Sequence, residues 1–320
     1  MNIKQAIFVL ARPLRLLVCL LCAWCWASFA QAAGVVIVFS ERSASYVAAA
    51  DALVTALELE GQSRAEVSQR IASELDGLGA TEAGASKLFI ALGTDALKRV
   101  LARDLRVPVL AALIPRSGFE RVMKEVGGRA SSPVTVLYLD QPFGRQLDLL
   151  RIAIPGAKQV GVLWGGESVL QQPALQTALR ARDMQELSGP VVSGGVPNAS
   201  LNAALENADV LLAVADPQVY SSGTVANILL ATYRARVPML AFSPAYVRAG
   251  ALLSLHSTPT QIGVQAGSIA RSLLQGSSLP SALYPVDFTV TVNEHVARSL
   301  GLTLDALSLS DKLRRVEKRP

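Results

Sequence analysis

Short aliphatic runs alternate with helical stretches along nearly the whole chain, and this pattern restricts the fold more than any other feature. Gly34–Phe39 precedes a helical pattern over Ala44–Leu59, Leu88–Leu92 precedes one over Thr94–Ala102, and Val107–Leu113 runs into a turn. A second series follows: Val160–Trp164 with a helix around Pro173–Met184, Val210–Val214 with one around Val225–Arg236, then Pro238–Phe242 and a short segment at Ala251–Leu255. Aliphatic runs without in-out alternation are strands covered on both faces, the mark of βαβ units and parallel sheets. Two such series in 320 residues predict two α/β lobes, because single cores stop growing near about 250–300 residues. Pro190–Ser200 reads as a surface loop, with helix resuming over Leu201–Glu206. Leu307–Pro320 is amphipathic and then basic, which predicts a frayed C-terminal helix.

The first residues have a different character. Lys4, Arg12 and Arg15 stand before an apolar run from Leu16 to Ala27, and Ser28-Phe29-Ala30-Gln31-Ala32-Ala33 follows. That order is the pattern of a cleavable secretory signal, with cleavage expected after Ala32. The run is shorter than the about 20 residues a membrane span needs, so the protein is expected not to be membrane-embedded. All three cysteines, Cys19, Cys22 and Cys25, lie in this segment, which leaves the processed chain without disulfides or thiolate metal sites. Val18, Leu21 and Trp24 precede them, where lipoprotein processing requires a small residue, so no lipid anchor is expected. Losing Lys4, Arg12 and Arg15 lowers the formal charge from +5 to about +2, too little for a nucleic-acid footprint.

Catalytic signatures are missing. The two histidines, His256 and His295, have no partner at metal-ligand spacing. No nucleophile elbow, phosphate loop or strand-linked G-x-G-x-x-G occurs. Glu41, Asp140, Glu167 and Asp216 are each solitary in sequence. Hydrolase, NTPase and dinucleotide-binding readings thus lack their defining motif, an enzyme is not expected, and neither is a cofactor or a metal.

Polar and small residues do follow the strands, where open parallel sheets bind ligands. They are Ser40 and Glu41 after the first strand, Thr94 after Leu92, Ser168 after Trp164, Asp216 after Ala215 and Ser243 after Phe242. Thr94 and Ser168 stand where helices begin, so backbone N–H groups there suit an anion. Asp216 suits an amine or hydroxyl. Trp164, Tyr220, Phe242 and Tyr246 are candidate apolar walls.

The stretch from Ala208 to Leu302 carries a resemblance. It combines a strand ending in Asp216, a helix leading to Tyr233-Arg234, a strand at Val237-Pro238, the turn Tyr246–Ala251, a helix at Ile262-Gly263, and Asn293 ahead of Leu300-Gly301-Leu302. With Leu92–Leu97 and Leu147–Gly165, these pieces resemble the ABC transporter substrate-binding protein family, of the uncharacterised kind with a type I periplasmic-binding fold. Leu113–Gly118 departs from the Asp-Pro turn common in ligand-binding relatives. The resemblance implies two Rossmann-like lobes with parallel sheets joined by a three-crossing hinge. The crossings are placed near Leu139-Asp140, near Leu255-His256 and before Tyr284-Pro285. The N-terminal lobe is then 33–139 plus 257–282, the C-terminal lobe 140–256 plus 283–305, and 306–320 a tail. His256 falls on the hinge at the cleft mouth and joins the candidate ligand contacts.

The implied function is a monomeric, freely diffusing periplasmic protein that closes on a small polar or amino-acid-like solute and delivers it to an ABC transporter permease. The competing expectation, motivated by Leu113–Gly118, is a degenerate sensor or scaffold that contacts a membrane receptor or kinase.

Overall fold

The computed structural model describes residues 34–58, 67–77, 84–103, 105–127, 131–193 and 195–318. The predicted signal segment and its cleavage site, residues 1–33, lie outside them. Each aliphatic run becomes a strand in one of two separate sheets. The first sheet is wholly parallel, in the order β2-β1-β3-β4-β5, from Val35–Phe39 (β1), Val67–Ile71 (β2), Leu88–Leu92 (β3), Val109–Ile114 (β4) and Val134–Tyr138 (β5). Helices Ala44–Glu58 (α1), Thr94–Leu101 (α2) and Arg116–Val126 (α3) connect its strands. β1, β3 and β4 are buried along their whole length, which is why they read as unbroken apolar runs.

The second sheet runs in the order β11-β10-β9-β8-β6-β7. Its parallel strands are Gln159–Val162 (β6), Gln185–Ser188 (β7), Val210–Leu212 (β8), Met239–Ala241 (β9) and Leu253–His256 (β10); Thr289–Val292 (β11) joins β10 antiparallel. Phe143–Ala153 (α4), Gln172–Arg180 (α5), Asn198–Leu205 (α6), Val225–Ala235 (α7) and Pro244–Ala249 (α8) accompany it. The two sheets thus repeat one winding, and each places its ligand-binding edge at the carboxyl ends of its strands.

Helix Pro259–Leu274 (α9) returns to the first sheet and lies along α1. Gly263 and Gly267 make the approach possible: a Cβ on Gly263 would overlap the Ala49 carbonyl, and one on Gly267 would come 2.7 Å from the Ala56 Cβ. The chain then crosses back, with Leu283 bridging Leu137 of β5. Three crossings join the lobes and are tied together. Gln141 donates to the Ser257 hydroxyl at 2.8 Å, and Arg145 donates to Gln141 at 2.8 Å and to the Pro285 carbonyl at 2.7 Å.

The C-terminus corrects the expectation of a frayed end. After Glu294–Ser299 (α10), helix Ala306–Glu317 (α11) packs on α4 and β11, with Leu309 and Leu313 inside the second lobe's core. One of its basic residues is also engaged: Arg314 pairs with Asp287 at 2.8 Å and lies over the Phe288 ring. Among the described residues no helix is long and apolar enough to cross a membrane.

Candidate functional site

The carboxyl ends of the two sheets face each other across a cavity of about 250 Å³. On the first lobe its wall comes from the starts of two helices. β3 turns into α2 through Gly93, whose φ of +94° suits glycine and whose missing side chain leaves room for Ser40 and Tyr46. The next residue, Thr94, lines the cavity. β4 ends in a register shift at Leu113, which holds a left-handed φ of +55°. That conformation costs a β-carbon residue about 1–2 kcal/mol, and it redirects the chain so that Pro115 precedes α3. Pro115, Ser117, Gly118 and Arg121 complete this wall. Asp140, on the first crossing, accepts the Arg116 amide at 2.6 Å. Burial pushes its carboxyl up to about 6, against the lowering effect of that amide and of the Arg116 guanidinium.

The second lobe's wall is organised by Asp216. Its carboxylate is buried and accepts the Ser168 amide at 2.8 Å and the Gln218 amide at 2.8 Å, so it fastens the loop after β6 to the loop after β8. Gly165 has no side chain because a Cβ there would overlap this carboxylate. The fastened loop presents Glu167. Above it stand Tyr220, Phe242 and Tyr246, in mutual edge-to-face contact at centroid distances of 5.0–6.1 Å. The Tyr220 hydroxyl is buried without a hydrogen-bond partner. Burial, reinforced by Tyr246 and Asp216, raises its pKa, so the phenol is neutral.

Two contacts cross the cleft. Ser117 donates its hydroxyl proton to the Ala215 carbonyl at 3.1 Å, and Arg121 Nε lies 3.0 Å from Glu167 Oε1.

Of the nine residues proposed from sequence, Thr94, Asp216 and Phe242 line this cavity. Ser168 lies directly beneath it, fully buried, with its hydroxyl accepting the Gly165 amide at 3.0 Å. The structure does not bring the other five to it. Ser40 accepts the Ala96 amide at 2.9 Å and so caps α2, and Ser243 accepts the Ala245 amide and caps α8. Glu41 is exposed. Trp164 is 2% exposed within the second lobe's core, its indole N–H donated to Glu186 at 2.7 Å. His256 ends β10 with Nδ1 3.2 Å from the Ser254 hydroxyl, and burial lowers its pKa. Ser117, Gly118 and Arg121 were missed, and Glu167, in the polar stretch after Trp164, was not singled out. The first three lie in or just after the divergent Leu113–Gly118 segment, and that divergence was the signal.

Two α/β lobes, a three-crossing hinge and a walled cavity between opposed sheet edges define a two-lobed solute-binding protein with the periplasmic-binding fold. The chain belongs to the ABC transporter substrate binding protein family, whose sequence model matches residues 85–311. A curated relative, the Tyrosine-binding protein of Clostridioides difficile (strain R20291), is 20% identical over 223 residues, spanning 67% of this chain and 63% of that protein. Among solved structures, the ligand-free, open form of a substrate-binding protein with adhesive properties from Clostridium difficile matches with a TM-score of 0.65 and 18% identity, covering 85% of this chain and 96% of that one. The ABC domain in complex with L-Trp from Streptococcus pneumonia matches with a TM-score of 0.59 and 17% identity, covering 86% and 97%.

Proposed function

We propose that this protein binds one small polar solute between its lobes in the periplasm and delivers it to an ABC transporter permease. The observation that carries this is the cavity itself: it lies between the two sheet edges, takes its lining from both lobes, and contains a buried phenol without a partner. About 250 Å³ is below the roughly 300–1,000 Å³ of drug-sized sites, which suits a single small solute. Closure about the three crossings buries the solute and creates the shape a permease reads. The N-terminal signal pattern supports export. The relatives named for tyrosine and solved with L-Trp favour an amino-acid-like solute. Pro115, Ser117 and Gly118 of the divergent segment supply cavity wall, which favours the solute reading over the receptor-contact alternative. Native mass spectrometry of protein purified from its own periplasm tests the reading. One retained small molecule, released on unfolding, is expected; protein that carries nothing and binds no member of a panel of amino acids, sugars and nucleosides contradicts it.

A further inference from the structure

Phe242 lines a second, much smaller chamber of about 20 Å³ as well as the cavity between the lobes. This chamber sits where the three crossings meet: Asp140 and Gln141 line it from the first, Leu255 from the start of the second and Tyr284 from the third. The second lobe contributes Gln171, the last residue of a single 3₁₀ turn, Val169–Gln171, that leads into α5. Gln171 is 2% exposed, and its side-chain Nε2 is buried without a hydrogen-bond partner. Buried donors are rarely left so, because an unmatched one forfeits its hydration. The amide beside it is already occupied: Gln141 donates to the Ser257 hydroxyl and accepts from Arg145, each at 2.8 Å. Asp140 is different. One of its oxygens, Oδ2, accepts the Arg116 amide at 2.6 Å, and a carboxylate has about four acceptor sites over its two oxygens.

We infer that this chamber is a binding site for one water molecule, which accepts from Gln171 Nε2, donates to the Asp140 carboxylate and thereby links the two lobes through the hinge. The size selects the ligand: a water needs roughly 10–15 Å³ of such space, and about 20 Å³ admits one water and no organic molecule. The chemistry selects it as well. An anion is repelled by Asp140, and a cation meets an N–H at Gln171 where it needs an oxygen, whereas water accepts from one and donates to the other. A bridging water is nearly as good as a direct bond. The resulting chain runs from the Arg116 amide at the start of α3, through Asp140 and the water, to Gln171 beside the wall of the second lobe. Its ends move relative to each other when the lobes rotate, so the water is a joint of the hinge, independent of which solute the cavity takes.

The direct test is a high-resolution crystal structure of the full processed chain, grown at a pH above the about 6 to which burial raises Asp140, so that its carboxyl is ionised. One ordered water within roughly 2.7–3.2 Å of both Gln171 Nε2 and the Asp140 carboxylate is expected. A chamber without water, a water that touches only one of the two, or a Gln171 amide bonded to a protein group overturns the inference. The sign of a substitution gives a second reading in solution by urea unfolding. Gln171→Met keeps the length of the side chain and removes its polar atoms. Removing an unmatched donor leaves stability unchanged or raises it, whereas removing a partner of the water lowers the folding equilibrium constant about fivefold, the scale of one hydrogen bond. A double-mutant cycle with Asp140→Ala separates the water from lost packing. A shared water makes the combined loss smaller than the product of the single losses by about twofold or more. Losses that simply multiply, or a Gln171→Met protein as stable as the wild type or more so, overturn the inference. The wild-type crystal decides the matter if either variant fails to fold.

Discussion

Asp216→Ala tests the claim that one carboxylate builds the second lobe's wall. In the wild type it accepts two backbone amides, each at 2.8 Å, and is 2% exposed. Charge-assisted bonds of this kind contribute about 1.5–3 kcal/mol each. Truncation leaves the Ser168 and Gln218 amides without their acceptor, and removing a buried charge offsets part of the loss, so about 3 kcal/mol of net destabilisation is expected. For a lobe of this size that lowers Tm by roughly 6–12 °C. The assay is thermal unfolding followed by Trp164, the single tryptophan among the described residues and a core residue of the same lobe. Asp216→Asn keeps one acceptor oxygen, and its shift should be about half as large. A shift in Asp216→Ala smaller than about 2 °C would refute the reasoning, because two unsatisfied buried amides cannot be accommodated at so small a cost.

Three further outcomes follow from the same geometry. Asp140 has its carboxyl raised from the ordinary 3.8 to about 6 by burial, so the folded protein holds a proton that the unfolded chain releases and stability falls as pH rises from about 4 to 6. Discounted for solvent screening, the loss is about 1–2 kcal/mol, and urea unfolding of Asp140→Asn, which retains an acceptor for the Arg116 amide, should lack it; an identical pH slope in the variant would rule the explanation out. Gly263→Leu forces α9 off the Ala49 carbonyl and should cost about 1–3 kcal/mol or more in urea unfolding, whereas a neutral result means the helices do not pack this closely. Leu313→Ala, at a fully buried position of α11, should cost about 2–5 kcal/mol; a change under about 0.5 kcal/mol, the scale of an exposed site, would show that the C-terminal helix is a loose tail.

The doubly covered strands were legible because burial on both faces leaves a continuous aliphatic run, as in β1, β3 and β4. β2 and β7, at the sheet edges, were not, since Val-Ser-Gln-Arg-Ile and Gln-Glu-Leu-Ser are half-exposed and lack that signature. α11 looked frayed because its basic residues dominate its sequence, while its packing depends on Leu309 and Leu313. At the site, position after a strand located Thr94 and Asp216. The same rule promoted Ser40 and Ser243, because a serine that caps a helix and a serine that meets a ligand occupy the same kind of position. Trp164 was misplaced for a related reason: it follows β6 closely, but its indole points into the core toward Glu186. Arg121 and Glu167 were invisible as a pair because they come from different lobes, and only the folded chain sets them 3.0 Å apart.

The central claim is that the lobes close over a solute held between them. The described residues contain no cysteine, so spin labels at Lys124→Cys on the first lobe and Ser222→Cys on the second report one distance. Pulsed electron–electron resonance should show a broad, longer distance distribution without ligand that narrows and shortens when L-tyrosine, or the solute retained on native purification, is added. A distribution that neither solute changes would contradict the account.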